Sequence, residues 1–368
     1  MVFTYKTTSG DTLTKVANRF HIRIEDLLAA NKEIPSSHSY LYPGRHLLIP
    51  DNASSTKRKK LYPCSEEYGW RELENDRRLL QSQTIKGLKV EQIGQSVMKK
   101  PLWLFKYGRG QKKIFLTGTW HGNEWMNSWL LMNFLKTFIK KVNTKAPWLG
   151  YSPHKLYQDA TLFIVPLVNP DGAELVQEGL SKGHSHYEQM AAINDGWSDF
   201  RHWSANINGV DLNHQWPAGW KEEAKTSPKQ PWYRHYGGAS PISEPESKSI
   251  YLLTMKEDFS HVLAFHSQGQ EIYWGYRDME PKVCKSLAER LASASSYHPV
   301  KTAASAAGFK DWFIKEWKRP GFTIETGIGK NPLPFDASLE MWLNNVPLIL
   351  ESLTFPSFSP PLDKWEKE

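Results

Sequence analysis

The chain has 368 residues, of which 40% are hydrophobic and 13% aromatic, so its length and composition exclude a disordered protein and allow more than one domain. A net charge of +7 fits an anionic partner, but no nucleic-acid motif accompanies it, so we expect a solvated basic surface and no nucleic-acid partner. Cys64 and Cys284 stand outside any C-x-x-C motif, which excludes a disulfide framework and a thiolate zinc site. No uncharged apolar stretch is long enough to span a bilayer, so we expect no membrane partner.

Residues 1–50 form the first predicted domain. The alternation at residues 3–7 predicts a strand, and residues 46–50 predict a second strand that closes the unit. Between them, the apolar spacing at residues 12–20 and 24–31 predicts two helices. Strand, helix, helix and strand in so short a segment predict a two-stranded sheet with both helices packed on one face.

Three motifs in this segment resemble those of a LysM module: Ser9-Gly10-Asp11-Thr12-Leu13, then Leu27-Leu28 with Asn31, then Pro43-Gly44 with Leu47 and Ile49-Pro50. The resemblance implies binding of glycans that contain N-acetylglucosamine, chiefly peptidoglycan and chitin. It also implies that the contacts come from Gly10, Asp11, Thr12 and the residues around Asn31. The alternative is a degenerate spacer, because a single copy of such a module binds weakly.

Residues 51–60 are polar, charged and aperiodic, and predict a flexible linker. Residues 61–368 then predict a larger α/β domain. Its predicted strands lie at residues 88–93, 102–106, 113–116, 161–168, 261–265 and 321–324. Its predicted helices lie at residues 68–80, 246–257, 282–293 and 339–353, with another beginning near residue 126. Strands that alternate with helices predict a mixed, mostly parallel sheet covered by helices on both faces.

Polar residues follow three of the buried strands. His121 and Glu124 come after the strand at 113–116, His266 follows the strand at 261–265, and Glu325 follows the strand at 321–324. Ligand sites in such sheets gather beyond the carboxyl ends of the strands. Two histidines and one carboxylate are a common zinc ligand set that leaves a position for water. We therefore predict one Zn²⁺ held by His121, Glu124 and His266, with Glu325 as the general base.

These residues, together with Asn169-Pro170-Asp171-Gly172, the run from Gly209 to Asn213 and Thr323-Ile324-Glu325-Thr326, resemble the carboxypeptidase A-like zinc peptidases over about residues 61–355. The resemblance implies the same α/β fold, one zinc ion and hydrolysis of a peptide bond. It assigns His121, Glu124 and His266 as zinc ligands and Glu325 as the catalytic glutamate.

Several positions depart from the family pattern. His214 stands where the family carries the arginine that grips a terminal carboxylate, and an imidazole lacks the bidentate fork of a guanidinium. Ser204 stands where relatives carry a basic residue that stabilises the oxyanion. Arg201 is the candidate substitute, and zinc alone is the alternative source of that charge. The tyrosine that closes over substrate is replaced near residues 303–304. Asp311 is a candidate for contacting a substrate amine.

These departures, combined with a LysM module, resemble the γ-D-glutamyl-diamino acid peptidases of the family. That resemblance implies hydrolysis of the bond between γ-D-glutamate and meso-diaminopimelate or lysine in peptidoglycan stem peptides. It also implies recognition of the diamino acid by Asn213, His214 and Asp311. One alternative is a zinc carboxypeptidase that trims ordinary C-terminal residues. The other is a non-catalytic protein that binds peptidoglycan.

The first residues of the chain lack the charged and apolar segments of a signal peptide. We therefore expect a cytoplasmic protein, or one released during sporulation, that acts on cell-wall peptides. Removal of a leader would instead place the protein in the cell wall outside the membrane. The oligomeric state and the choice between diaminopimelate and lysine stay open.

Overall fold

The structure is a computed structural model that describes residues 2–8, 11, 13, 16–17, 20, 22, 24–34, 41–50, 67–302 and 306–358. The chain divides into two compact units, Met1–Pro63 and Cys64–Glu368. The predicted linker at 51–60 and the replaced tyrosine position at 303–304 lie outside the described residues, as does much of the helix predicted at 12–20.

The first unit contains the predicted two-stranded sheet. Strand β1 (Val2–Lys6) pairs antiparallel with β2 (His46–Pro50), and helix α1 spans Ile24–Ala30. In β2 the side chains of Leu47 and Ile49 are buried while their neighbours are exposed, as the two-residue period of a strand with one covered face requires. The buried core of the unit comprises Leu13, Val16, Ala17, Ile22, Leu27, Ile34, Leu41, Leu47 and Ile49.

The second unit is built on an eight-stranded sheet with the order β3-β4-β6-β5-β7-β10-β8-β9. Its strands are β3 (Leu88–Gln95), β4 (Pro101–Gly108), β5 (Lys112–Gly118), β6 (Ala160–Val165), β7 (Phe259–His266), β8 (Glu271–Tyr273), β9 (His298–Val300) and β10 (Gly321–Glu325). The pairs β6–β5, β5–β7, β7–β10 and β8–β9 are parallel, and the other three pairs are antiparallel. The predicted mixed, mostly parallel sheet is confirmed.

Helices cover both faces of this sheet. They are α2 (Trp70–Ser82), α3 (Met126–Thr144), α4 (Pro153–Asp159), α5 (Pro170–Glu178), α6 (Tyr187–Ile193), α7 (Trp220–Thr226), α8 (Pro245–Lys256), α9 (Cys284–Ser295), α10 (Phe309–Trp317) and α11 (Ala337–Ser352). Apolar residues of α3, α9 and α11 belong to one core cluster, and those of α8 and α10 belong to another. All eight residues of β7 are buried, as expected for a central strand covered on both sides.

The predicted strand at 161–168 ends earlier than its apolar run suggests. Strand β6 stops at Val165, and the next residues lead into α5. Asn169 caps that helix by accepting a hydrogen bond from the Gly172 backbone N–H at 2.9 Å, and Pro170 occupies its first turn. Among the described residues, none of the helices combines the length and apolar character needed to cross a bilayer.

Candidate active site

The loop after β5 brings His121 and Glu124 to the carboxyl edge of the sheet. His121 precedes a short 3₁₀ turn, Gly122–Glu124, which leads into α3. Gly122 lies so close to α5 that a Cβ added to it would stand 2.5 Å from the backbone carbonyl of Gly172. Only glycine therefore permits this approach. Residues 121–124, here called the metal loop, pack closely against the start of α5 as a result.

His121, Glu124 and His266 meet at one point because β5 and β7 are parallel neighbours. Nδ1 of His121 lies 2.8 Å from Glu124 Oε1, and Nδ1 of His266 lies 3.2 Å from Glu124 Oε2. The two Nδ1 atoms are 3.4 Å apart. Glu124 Oε2 is buried and has no hydrogen bond of good geometry, although His266 Nδ1 lies 3.2 Å away. Two imidazole nitrogens and a carboxylate oxygen that converge in this way fit a Zn²⁺ ion.

Asp211 stands behind His121, and sequence reasoning did not assign it a role. Its Oδ1 lies 3.1 Å from His121 Nε2, and the side chain is fully buried. The backbone N–H of His235 donates to Asp211 Oδ2 at 2.9 Å, which fixes the carboxylate. A carboxylate in this position orients a metal-binding imidazole and sets its tautomer. The only sequence signal was the match of the turn from Gly209 to Asn213 to the family pattern.

The pKa values of both His121 and Glu325 are raised within this cluster. Burial opposes a charge on His121, but the carboxylates of Glu124 and Asp211 outweigh burial and hold its pKa well above the usual value. Burial and the nearby charge of Glu124 raise the pKa of Glu325 well above its usual range. Negative charge at this point contributes to both shifts, and a bound cation would offset that contribution.

Glu325 ends β10 directly beside His266 in the parallel register. It faces a cavity of about 500 Å³, here called the catalytic cavity. The cavity is lined by His121, Asn123, Glu124, His202, Ser204, Asp211, Arg234, His235, Ser267, Gln268, Tyr273, Glu325, Gly329, Lys330 and Asn331. The predicted ligands and the predicted base therefore share one open site, where a base can reach a water and a substrate carbonyl.

Arg201 does not line the catalytic cavity within the described part of the chain. Its exposed guanidinium pairs with Asp199, with Nη2 2.6 Å from Oδ2, and faces a neighbouring cavity. The expectation that Arg201 substitutes at the oxyanion position is therefore corrected. Arg234, which sequence reasoning missed, is the arginine on the wall of the catalytic cavity.

The residues expected to recognise a diamino acid are also placed differently. His214 is buried, with Nδ1 3.1 Å from Glu223 Oε1, and it lines a separate cavity of about 350 Å³. Asn213 accepts a hydrogen bond from the Phe309 backbone N–H at 3.2 Å. Asp311 is buried, contacts Lys310 and accepts from the Gly308 backbone N–H at 3.3 Å.

These contacts change the interpretation of Asn213 and Asp311. Both side chains hold the start of α10, where backbone N–H groups lack helical partners. Recognition of a diamino acid by Asn213, His214 and Asp311 stays a prediction, and none of the three lines the catalytic cavity among the described residues.

The glycan contacts expected of the first unit stay a prediction, and two of the four residues have structural partners. Asp11 is buried and accepts hydrogen bonds from Tyr5 Oη at 2.7 Å and from the Thr8 backbone N–H at 2.7 Å. Asn31 is buried and exchanges hydrogen bonds of 2.8 Å in both directions with the backbone of Leu48. Both side chains stabilise the module from inside. Gly10 and Thr12 lie outside the described residues.

Comparison with known proteins identifies the family. A model of the zinc carboxypeptidase family matches residues 76–347. The chain belongs to this family. Its members use Zn²⁺, and the converging groups of His121, Glu124 and His266 fit that ion. Residues 5–50 match the LysM domain. The chain is therefore a zinc peptidase with a LysM domain.

Two curated relatives and one solved structure illustrate the relationship. Gamma-D-glutamyl-L-diamino acid endopeptidase 1 of Lysinibacillus sphaericus is 39% identical over 75% of this chain and 69% of its own. The uncharacterized protein YqgT of Bacillus subtilis is 39% identical over 66% of each chain. Bovine thrombin-activatable fibrinolysis inhibitor superposes with a TM-score of 0.60 at 18% identity, covering 78% of this chain and 97% of the bovine chain. The structural likeness shows the shared fold.

Proposed function

We propose that this zinc peptidase hydrolyses the bond between γ-D-glutamate and a diamino acid, diaminopimelate or lysine, in peptidoglycan stem peptides. The observation that carries the proposal is the charge of the catalytic cavity. Arg234 and Lys330 line its wall, and neither is paired with a carboxylate among the described residues. A γ-linked glutamate keeps its α-carboxylate free, whereas in an α-linked peptide the α-carboxyl is itself the scissile carbonyl and at most a side-chain carboxylate is free. Two available cations suit the γ-linked substrate.

Two further observations support the same substrate. The relative from Lysinibacillus sphaericus is named for cleavage of γ-D-glutamyl-diamino acid bonds. The LysM domain at residues 5–50 belongs to a glycan-binding family, so it can hold the enzyme near glycan strands that carry stem peptides. A single such domain adds affinity by raising the local substrate concentration rather than by contacting the scissile bond.

Each residue of the site has a separate role in the reaction. When bound by His121, Glu124 and His266, Zn²⁺ supplies a Lewis acid that polarises a carbonyl and acidifies water. Glu325 accepts a proton from the attacking water and delivers it to the leaving amine nitrogen, so that water and amide yield a carboxylic acid and an amine. Asp211 keeps His121 in its tautomer.

Arg234 and Lys330 bind the substrate and take no part in proton transfer. Arg234 faces the cavity with its guanidinium 5.4 Å from the ring of Tyr233, an arrangement that leaves its fork open to a carboxylate. Holding the α-carboxylate of D-glutamate fixes the γ-carbonyl near the ligand cluster and Glu325. Such fixation contributes to rate by restricting the reacting groups to one geometry.

The test uses zinc-loaded protein and three peptides: L-Ala-γ-D-Glu-meso-diaminopimelate, its lysine counterpart, and the α-linked isomer. We expect release of the free diamino acid from at least one γ-linked peptide, detected by mass spectrometry and abolished by a chelator. The α-linked isomer should stay intact. Cleavage of the α-linked peptide alone would indicate an ordinary carboxypeptidase and overturn the proposal.

A further inference from the structure

A second cavity of about 540 Å³ adjoins the catalytic cavity. His202, Lys330 and Asn331 line both cavities, so the two spaces adjoin at these three residues. A substrate longer than the scissile dipeptide can therefore extend from one into the other. Both volumes fall in the range of ligand-binding pockets.

Aromatic rings distinguish this second space, here called the aromatic cavity and defined by Trp125, Trp197 and Phe335. Trp197 is 66% exposed and Phe335 is 40% exposed, although both are large apolar side chains. The rings of Trp125 and Phe335 lie 5.8 Å apart at an angle of 57°. Exposed aromatic side chains in one concave site indicate that a ligand binds there and covers them. Flat rings of this kind suit the C–H face of a pyranose.

Polar groups stand beside these rings. Asp199 and Arg201 hold each other through a 2.6 Å ion pair while both side chains remain exposed in the cavity lining. The pair offers oriented donors and acceptors that match sugar hydroxyl and acetamido groups. An aromatic platform flanked by fixed polar groups fits a neutral sugar better than it fits the small methyl side chains of alanine residues in a stem peptide.

The position of Lys330 indicates which end of the substrate enters. Lys330 stands at the junction of the two cavities. In a γ-linked stem peptide the free α-carboxylate belongs to the D-glutamyl side of the scissile bond, the side that leads to the glycan. Contact between that carboxylate and Lys330 directs the glycan side into the aromatic cavity. D-Glutamate, L-alanine and the lactyl group together span roughly 10 Å, enough to carry a sugar ring across the junction.

We propose that the aromatic cavity binds the N-acetylated sugar to which the stem peptide is attached, and that the enzyme therefore prefers sugar-linked stem peptides to free ones. This inference rests on the proposed function and adds a sugar subsite to it. The subsite lies within the peptidase unit and is separate in sequence from the LysM domain.

The test compares free L-Ala-γ-D-Glu-meso-diaminopimelate with the same peptide attached to N-acetylmuramic acid. Wild type should show a kcat/KM about three- to tenfold higher for the sugar-linked peptide, the range expected for one aromatic contact. Trp197→Ala and Phe335→Ala should remove this advantage through KM and leave the free peptide unchanged. Met255→Ala, a truncation of an exposed apolar residue on α8, is the matched control and should behave as wild type.

A binding measurement separates failure of the subsite from failure of the proposed function. Zinc-loaded Glu325→Gln protein is titrated with both compounds by calorimetry, with and without Trp197→Ala. Tighter binding of the sugar-linked peptide that depends on Trp197 supports the subsite even if no γ-linked bond is cleaved, in which case only the proposed reaction fails. Equal affinity for both compounds, or an equal loss of affinity for both in the Trp197 variant, overturns the sugar subsite. The proposed cleavage of γ-linked peptides is then decided by its own assay.

Discussion

The carboxylate of Asp211 lies 3.1 Å from Nε2 of His121, on the side of the imidazole that faces away from Glu124. The opposite nitrogen, Nδ1, is 2.8 Å from Glu124 Oε1 and points toward His266. Asp211 therefore selects the tautomer that carries its proton on Nε2 and leaves a lone pair on Nδ1. That lone pair is the one a metal ion needs.

Asp211→Asn should weaken zinc binding about 10- to 100-fold, because an amide orients the imidazole less firmly and does not raise its basicity. The asparagine keeps an oxygen for the His235 backbone N–H, so the fold should persist. Zinc affinity is measured by competition with a chromogenic chelator, and circular dichroism checks the fold. An unchanged zinc affinity would show that Asp211 does not position His121.

Glu325→Gln should retain one zinc ion per chain but lose turnover by about 10²- to 10⁴-fold, since glutamine cannot accept the proton of the attacking water. The substitution preserves side-chain length at the end of β10. Metal content is measured by atomic emission and turnover by release of the diamino acid. A variant that keeps near-native turnover would exclude Glu325 as the base.

The metal ligands and Glu325 could be predicted because each follows a buried parallel strand. The apolar runs within β5 and β7, and Phe322 and Ile324 in β10, identify these strands, and parallel neighbours bring their carboxyl ends together. At these positions the local sequence pattern therefore predicted which residues, far apart in the sequence, lie close together in the fold.

Arg234 and Asn213 could not be assigned in the same way. Arg234 lies in an aperiodic segment between α7 and α8, so only the folded chain shows which cavity it faces. Asn213 has a family-like position, but its oxygen accepts the Phe309 backbone N–H at 3.2 Å, a contact between segments far apart in sequence. Whether a polar side chain binds substrate or caps a helix depends on such distant partners.

Arg234→Met should raise KM for the γ-linked peptide about tenfold or more, since one charge-assisted contact with a carboxylate is lost. Arg109→Met is the matched control, because Arg109 is an exposed arginine just before β5, at the end of that strand opposite His121. Steady-state kinetics on the γ-linked peptide measure both variants. Equal KM values for wild type and Arg234→Met would remove Arg234 from substrate recognition.

Glu246 should make stability depend on pH independently of the metal ligands. Burial, followed by the charge of Asp171, raises the pKa of Glu246 to about 8 from an ordinary value of 4.5. The folded protein keeps this proton while the unfolded chain releases it, so the contribution to stability falls as pH rises from about 4.5 to about 8.

Glu246→Gln should therefore reduce the loss of Tm between pH 5 and pH 8.5 by about 3 °C relative to wild type. The glutamine oxygen can still accept the Val97 backbone N–H, which lies 3.0 Å from Glu246 Oε1. Calorimetric scans of zinc-loaded protein at both pH values measure the difference. Parallel Tm profiles for the two proteins would show that Glu246 is ionised in the folded state.

Gly122→Ala tests the link between the metal loop and α5. The added Cβ would lie 2.5 Å from the Gly172 carbonyl, and a backbone neighbour cannot turn aside as a side-chain end does. The loop must therefore shift and separate Glu124 from His266, which we expect to reduce zinc affinity at least about tenfold and to lower Tm. Gly183→Ala is the control, because a Cβ there meets nothing within 4 Å. If Gly122→Ala binds zinc as tightly as Gly183→Ala does, the metal loop does not depend on its close contact with Gly172.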